Sequence, residues 1–79
     1  MPDIAISLAD VWALAWGMEV GRARFFDNVE LSSIPDLKAR AEARCTIHLS
    51  GLKEIDLRAS VTHCRGLIRD ELNKAGVAT

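Results

Sequence analysis

The chain has 79 residues, 49% hydrophobic and 27% charged, with ten basic side chains against eleven acidic ones and a formal net charge of −1. That balance suits one small globular domain and not a disordered segment, and it lacks the basic excess of a nucleic-acid or anionic-membrane surface. Two cysteines are too few for a disulfide scaffold, and the stretch MPDIAISLAD has no basic region of a secretory signal, so a reduced, cytoplasmic protein is expected.

The first element opens at Ser7–Asp10, where S-x-x-D places a hydroxyl cap three residues before an acid in the manner of a capping box. Ile6 and Val11 stand where a hydrophobic staple would form. The spacing predicts a helix over 7–26, which holds all four aromatic side chains, Trp12, Trp16, Phe25 and Phe26. Asp10, Glu19, Arg22 and Arg24 interrupt its apolar run, so it does not read as a membrane span. DNVELSS, residues 27–33, reads as the connection to a second helix. A second S-x-x-D at Ser33–Asp36 marks the start of that helix over 34–50, with Pro35 tolerated in its first turn.

SGLKE, residues 50–54, breaks the pattern again. Gly51 suits a left-handed stop, and Glu54 and Asp56 suit the first turn of a third helix over 54–75, ended by Gly76. The expected architecture is therefore all-α, a single three-helix domain over 1–79. One competitor is an α+β arrangement. Ile47 and Leu49 alternate in a way that Ile55, Leu57, Ala59 and Val61 could answer as a β-hairpin at 46–61, although the Asn-Gly or Asp-Gly turn signature is missing.

Placing residues about 100° apart sorts the helical faces. In the third helix Leu57, Val61, Cys64, Ile68, Leu72 and Ala75 form one core-facing stripe. In the second, Ile34, Leu37, Ala41, Cys45, His48 and Leu49 share a face. The first helix carries two stripes. Leu8, Val11, Leu14, Ala15, Met18, Phe25 and Phe26 lie on one; Ala9, Trp12, Trp16, Val20 and Ala23 lie on the other, about 90–100° round. Two partner helices cover one such stripe more readily than two. The first stripe is therefore expected in the core and the tryptophan stripe at an interface, because tryptophan joins large area to a polar N–H. Trp12, Trp16, Glu19, Val20, Arg22 and Ala23 are the partner-binding candidates. A two-fold homodimer with crossing first helices is the simplest closed assembly.

Cys45, His48, His63 and Cys64 are four potential zinc ligands. Read as helices, they do not converge. With Cys64 in the core, His63 points about 100° away, toward solvent, and a tight turn at Gly51 offsets the two pairs by roughly 10 Å. No metal site and no cofactor are expected. His48 reads as a partly buried histidine that could make assembly depend on pH, and the cysteines read as small buried hydrophobes. The sequence has no phosphate loop, no dinucleotide-binding glycine pattern and no nucleophile beside a base, so no enzyme and no small-molecule substrate are expected. Arginines 22, 24, 40, 44, 58, 65 and 69 outnumber the lysines, but acids are interspersed among them.

The expected function is protein–protein interaction. The chain reads as a regulator, adaptor or inhibitor that binds itself and a larger protein, of the kind a phage or mobile element directs at a host machine. The alternative is a dimeric regulator using the second and third helices as a DNA-binding helix-turn-helix.

Overall fold

A computed structural model describes residues 7–76. Helix α1, Leu8–Arg22, begins as the sequence predicts. The Ser7 hydroxyl accepts from the Asp10 amide at 3.1 Å and the Ser7 amide donates to the Asp10 carboxylate at 3.3 Å, completing the capping box. The partner proposed for Val11 in a staple, Ile6, lies outside the described residues.

Past Arg22 the chain does not continue as α-helix to residue 26. It widens into a π-turn, Ala23–Asp27, closed by Asn28 in the left-handed region at φ 54°. Asparagine is among the few side chains that visit that region at modest cost. A short 3₁₀ turn, Leu31–Ser33, and Asp36 at φ 61° then lead into α2, Leu37–Ser50. The second S-x-x-D therefore lies in the approach to α2 and not in its first turn. Gly51 ends α2 at φ −85°, a right-handed conformation where a left-handed one was expected. Asp56 caps α3, Leu57–Lys74, by accepting from the Ala59 amide at 2.9 Å. Gly76 does take the left-handed conformation foreseen for it, at φ 82°.

Among the described residues there are three α-helices and no strand. Residues 46–50 belong to α2 and 57–61 to α3, so no hairpin forms at 46–61. The protein is a small all-α domain, and no helix among the described residues is long and apolar enough to cross a membrane. Helix α3 packs on both α1 and α2, more extensively than these pack on each other. The core is built from Val11, Trp12, Ala15 and Ala23 of the first segment, Leu31, then Leu37, Ala41, Cys45 and Leu49 of α2, and Val61, Cys64, Ile68 and Leu72 of α3.

The faces assigned to α2 and α3 are largely those buried. Leu57, 40% exposed, and Ala75 at the two ends of α3 fall outside the core. The aromatic assignment for α1 is reversed. Trp12 is buried and Trp16 packs against the core, whereas Leu14, Met18, Phe25 and Phe26, expected inside, are exposed. The body measures 43 × 23 × 17 Å, and one helix with its side chains is already about 10–12 Å across. Such a slab covers one side of α1 and leaves the other open. The buried arc is centred between the two predicted stripes, on Ala15 and Glu19, and takes part of each.

Candidate interaction surface

The residue that fixes this orientation is Glu19, whose side chain is fully buried. A carboxylate at such a site is tolerable only when charged donors surround it. Three do. Arg22 donates to it from one turn along α1 at 3.0 Å, and Arg65 and Arg69, one turn apart on α3, donate at 2.6 and 3.0 Å. Burial alone would raise the Glu19 pKa, but the hydrogen bonds from Arg69, Arg65 and Arg22 outweigh it and hold the carboxyl below its ordinary 4.5. Arg22 also donates to Asp27 at 2.9 Å, which ties the π-turn to the same cluster. Glu19 and Arg22, expected among the partner-binding residues, are instead engaged within the chain. They form the inner junction between α1 and α3.

A second junction joins α2 to α3. Arg40 and Arg44 donate to Glu71 at 3.0 and 2.8 Å, and Arg44 also reaches Asp70 at 2.6 Å. With Arg24 on Glu30 at 2.6 Å, six of the seven arginines bind carboxylates of their own chain.

The six residues expected at a partner interface lie on the inner side of α1. Trp12, Glu19 and Ala23 are buried, while Trp16, Val20 and Arg22 are half-buried. The indole rings of Trp12 and Trp16 stack with centroids 5.4 Å apart, an i, i+4 pair facing the core. The outer side carries what the sequence placed inside. Leu14 is 46% exposed, Met18 42%, Phe25 83% and Phe26 76%. On an undisturbed α-helix Phe26 would point in the direction of Ala15 and Glu19, into the core. Phe25 falls between Leu14 and Met18 at α-helical spacing and is outward in either case. The π-turn winds less per residue than an α-helix and turns Phe26 outward beside it, where the two rings meet edge to face at 5.1 Å.

Gly17 and Gly21 lie on the exposed side as well, and a Cβ added to either would meet nothing within 4 Å. No known family model, curated protein or solved structure matches this chain. The chemistry of the surface must be read from its own residues. Taking a phenylalanine as about 200 Å², its two phenylalanines expose roughly 300 Å² between them, and Leu14 and Met18 bring the patch to roughly 450 Å², the size of the largest apolar patch on a typical monomer.

The cysteine and histidine pairs depart from expectation too. The loop over residues 51–56 is long enough to remove the predicted axial offset, so α2 and α3 bring like to like. Cys45 Sγ lies 3.9 Å from the Cys64 carbonyl oxygen, and the His48 and His63 rings stack with centroids 3.7 Å apart. His63 is turned toward His48 rather than away from it. Even so, no group of three or more His, Cys, Asp or Glu among the described residues is placed to hold a metal ion. Burial pushes the Cys45 thiol up to about 12 and raises that of Cys64 as well, which makes both poor nucleophiles and poor ligands.

One signal for this arrangement was present in the sequence. Glu19 sits at the centre of the combined apolar arc of α1, and an acid there must be either exposed with the whole arc or buried with cations. The Arg65/Arg69 spacing of four residues on α3 supplies those cations.

Proposed function

We propose that the protein is a small helical interaction module that acts as a regulator, adaptor or inhibitor by binding a larger protein, in the cytoplasm and without catalysis of its own. A phage or mobile-element inhibitor of a host machine falls within this class. The observation that carries the proposal is the outer face of α1 and its π-turn. Four of the seven large apolar side chains exposed among the described residues stand together there, on a molecule that has a well-filled core elsewhere. Exposing two phenylalanines side by side is unfavourable for a free domain and favourable for one that meets a partner.

The binding surface is thus assigned to Leu14, Met18, Phe25 and Phe26 in place of the tryptophan side. The homodimer expected from the sequence, if formed, would use this same outer face. A standard interface takes about 800 Å² from each partner, and the apolar patch with a polar rim approaches that.

The test is capture from native cells with wild type and the double variant Phe25→Ser, Phe26→Ser in parallel. The variant should keep its helicity and thermal midpoint within a few degrees, because neither ring is buried, and should lose the captured protein. Equal capture by both proteins would refute the assignment. Sedimentation of the same pair reports whether wild type self-associates.

A DNA-binding dimer is the competing class. Helices α2 and α3 are joined by the 51–56 loop, but their arginines 40, 44, 65 and 69 are already held by carboxylates. Phosphates would have to displace those partners. Retention on heparin falling steeply with salt would favour this class, and flat weak retention would not.

A further inference from the structure

We propose that His48 and His63 form a two-histidine chelate for a divalent transition ion of the zinc, nickel and copper class, clamping α2 to α3. The chain has only two histidines, and they meet. One comes from each helix, and their rings stack with centroids 3.7 Å apart and planes 20° from parallel. Each neutral imidazole offers a nitrogen lone pair, the donor that ions of this class take in preference to oxygen. Two nitrogens on one zinc, each at about 2.0–2.1 Å, stand about 3.3 Å apart in tetrahedral geometry. The ring separation is close to that span. His63 lies on the exposed side of α3, so its ring turns about Cβ–Cγ toward a shared point without moving the core.

The rings are uncommitted. The side-chain hydrogen bonds around them join Cys45 to Cys64, Ser50 to Ile47 and Asp56 to Ala59, and none uses an imidazole nitrogen. The surroundings suit a cation. His48 stands in the last turn of α2, where unpaired carbonyl groups gather negative charge. Glu54 and Asp56 of the 51–56 loop line the same cleft as both rings. Asp56 gives one carboxylate oxygen to the α3 cap and keeps the other. Arg58 flanks His63 on its far side, so two carboxylates stand against one guanidinium.

Among the described residues no third side chain is placed as a ligand. The affinity is therefore that of two nitrogens, with water in the remaining positions. The ion would hold the seam where it lacks other ties. The ion pairs joining α2 to α3 all sit toward the opposite end, on Arg40 and Arg44.

Zinc and nickel chlorides, added to the full untagged chain, test this, with magnesium chloride as control. Calorimetry should find one zinc or nickel ion per chain with a micromolar dissociation constant. At a hundredfold excess over that constant the thermal midpoint should rise by about 10 °C or more. Magnesium, which takes oxygen ligands, should leave it unchanged. His48→Gln and His63→Gln should each weaken binding about tenfold or more, with circular dichroism that of wild type. If either variant fails to fold, copper(II) on the wild-type chain gives a second reading by proton NMR. The ring signals of both histidines should broaden at substoichiometric copper, before signals elsewhere. A midpoint unmoved by zinc and nickel overturns the proposal, as does binding that survives both substitutions or broadening centred away from the two rings. One ion per two chains overturns it as well, because the clamp lies within a single chain.

Discussion

At the scale of single residues, burial has opposite consequences for the thiols and for Glu19. Cys45 and Cys64 are fully buried, and burial favours the neutral thiol, with Cys45 raised to about 12. At neutral pH neither should react with a thiol-directed reagent such as DTNB until the protein unfolds, and labelling should rise together with the loss of helicity in denaturant. Rapid labelling of the native protein would show that the α2–α3 seam opens locally. Glu19 is as deeply buried as the cysteines but stays charged, because Arg22, Arg65 and Arg69 point at its oxygens. Ranking the two apolar stripes by how much two partner helices can cover, without weighing the acid between them, is the step that inverted the aromatic faces. Periodicity assigns apolar side chains to a face but does not weigh one carboxylate against three guanidiniums from elsewhere in the chain.

At the scale of elements, most of the fold was legible and the departures are local. The three helices, the Ser7 capping box and the Gly76 stop follow from capping chemistry and apolar spacing. The π-turn at Ala23–Asp27 left no recognisable mark in the sequence, because ARFFD continues the helical pattern without a break. Its effect falls on the surface, since it decides where Phe26 points. The 51–56 loop was similarly underestimated, and with it the meeting of His48 with His63. The glycines of α1 give an element-scale prediction. Gly17→Ala and Gly21→Ala should each stabilise the isolated protein by about 0.5–1 kcal/mol, since alanine suits a helix interior and meets no neighbour at either position. Thermal or urea unfolding measures this, and a loss of stability would mean that chain already packs there.

At the scale of the whole molecule, two carboxylates hold three helices together. Glu19 links α1 to α3, and Glu71 links α3 to α2 through Arg44 and Arg40. Burial pushes each pKa up, but the arginine hydrogen bonds prevail and both carboxyls lie below their ordinary value. A carboxyl depressed in the folded state lends stability that is present above its unfolded value, about 4.5, and is lost as pH falls through the folded value. Stability should therefore hold from neutral pH down to about pH 5 and then fall steeply. Glu19→Gln should cost about 3 kcal/mol at neutral pH, because it takes the only carboxylate from Arg65 and Arg69 and one of two from Arg22, and should flatten part of the acid limb. Urea titrations from pH 3 to 7 compare the two proteins, and coincident acid limbs would show that Glu19 does not contribute. The buried indole stack has a further use. Trp12 and Trp16 are the chain's only tryptophans and face the interior, while the exposed outer strip carries phenylalanine, leucine and methionine. Tryptophan emission therefore reports unfolding and is nearly silent to what occupies the outer face, so loss of folding and loss of binding in any variant can be separated optically, without a label.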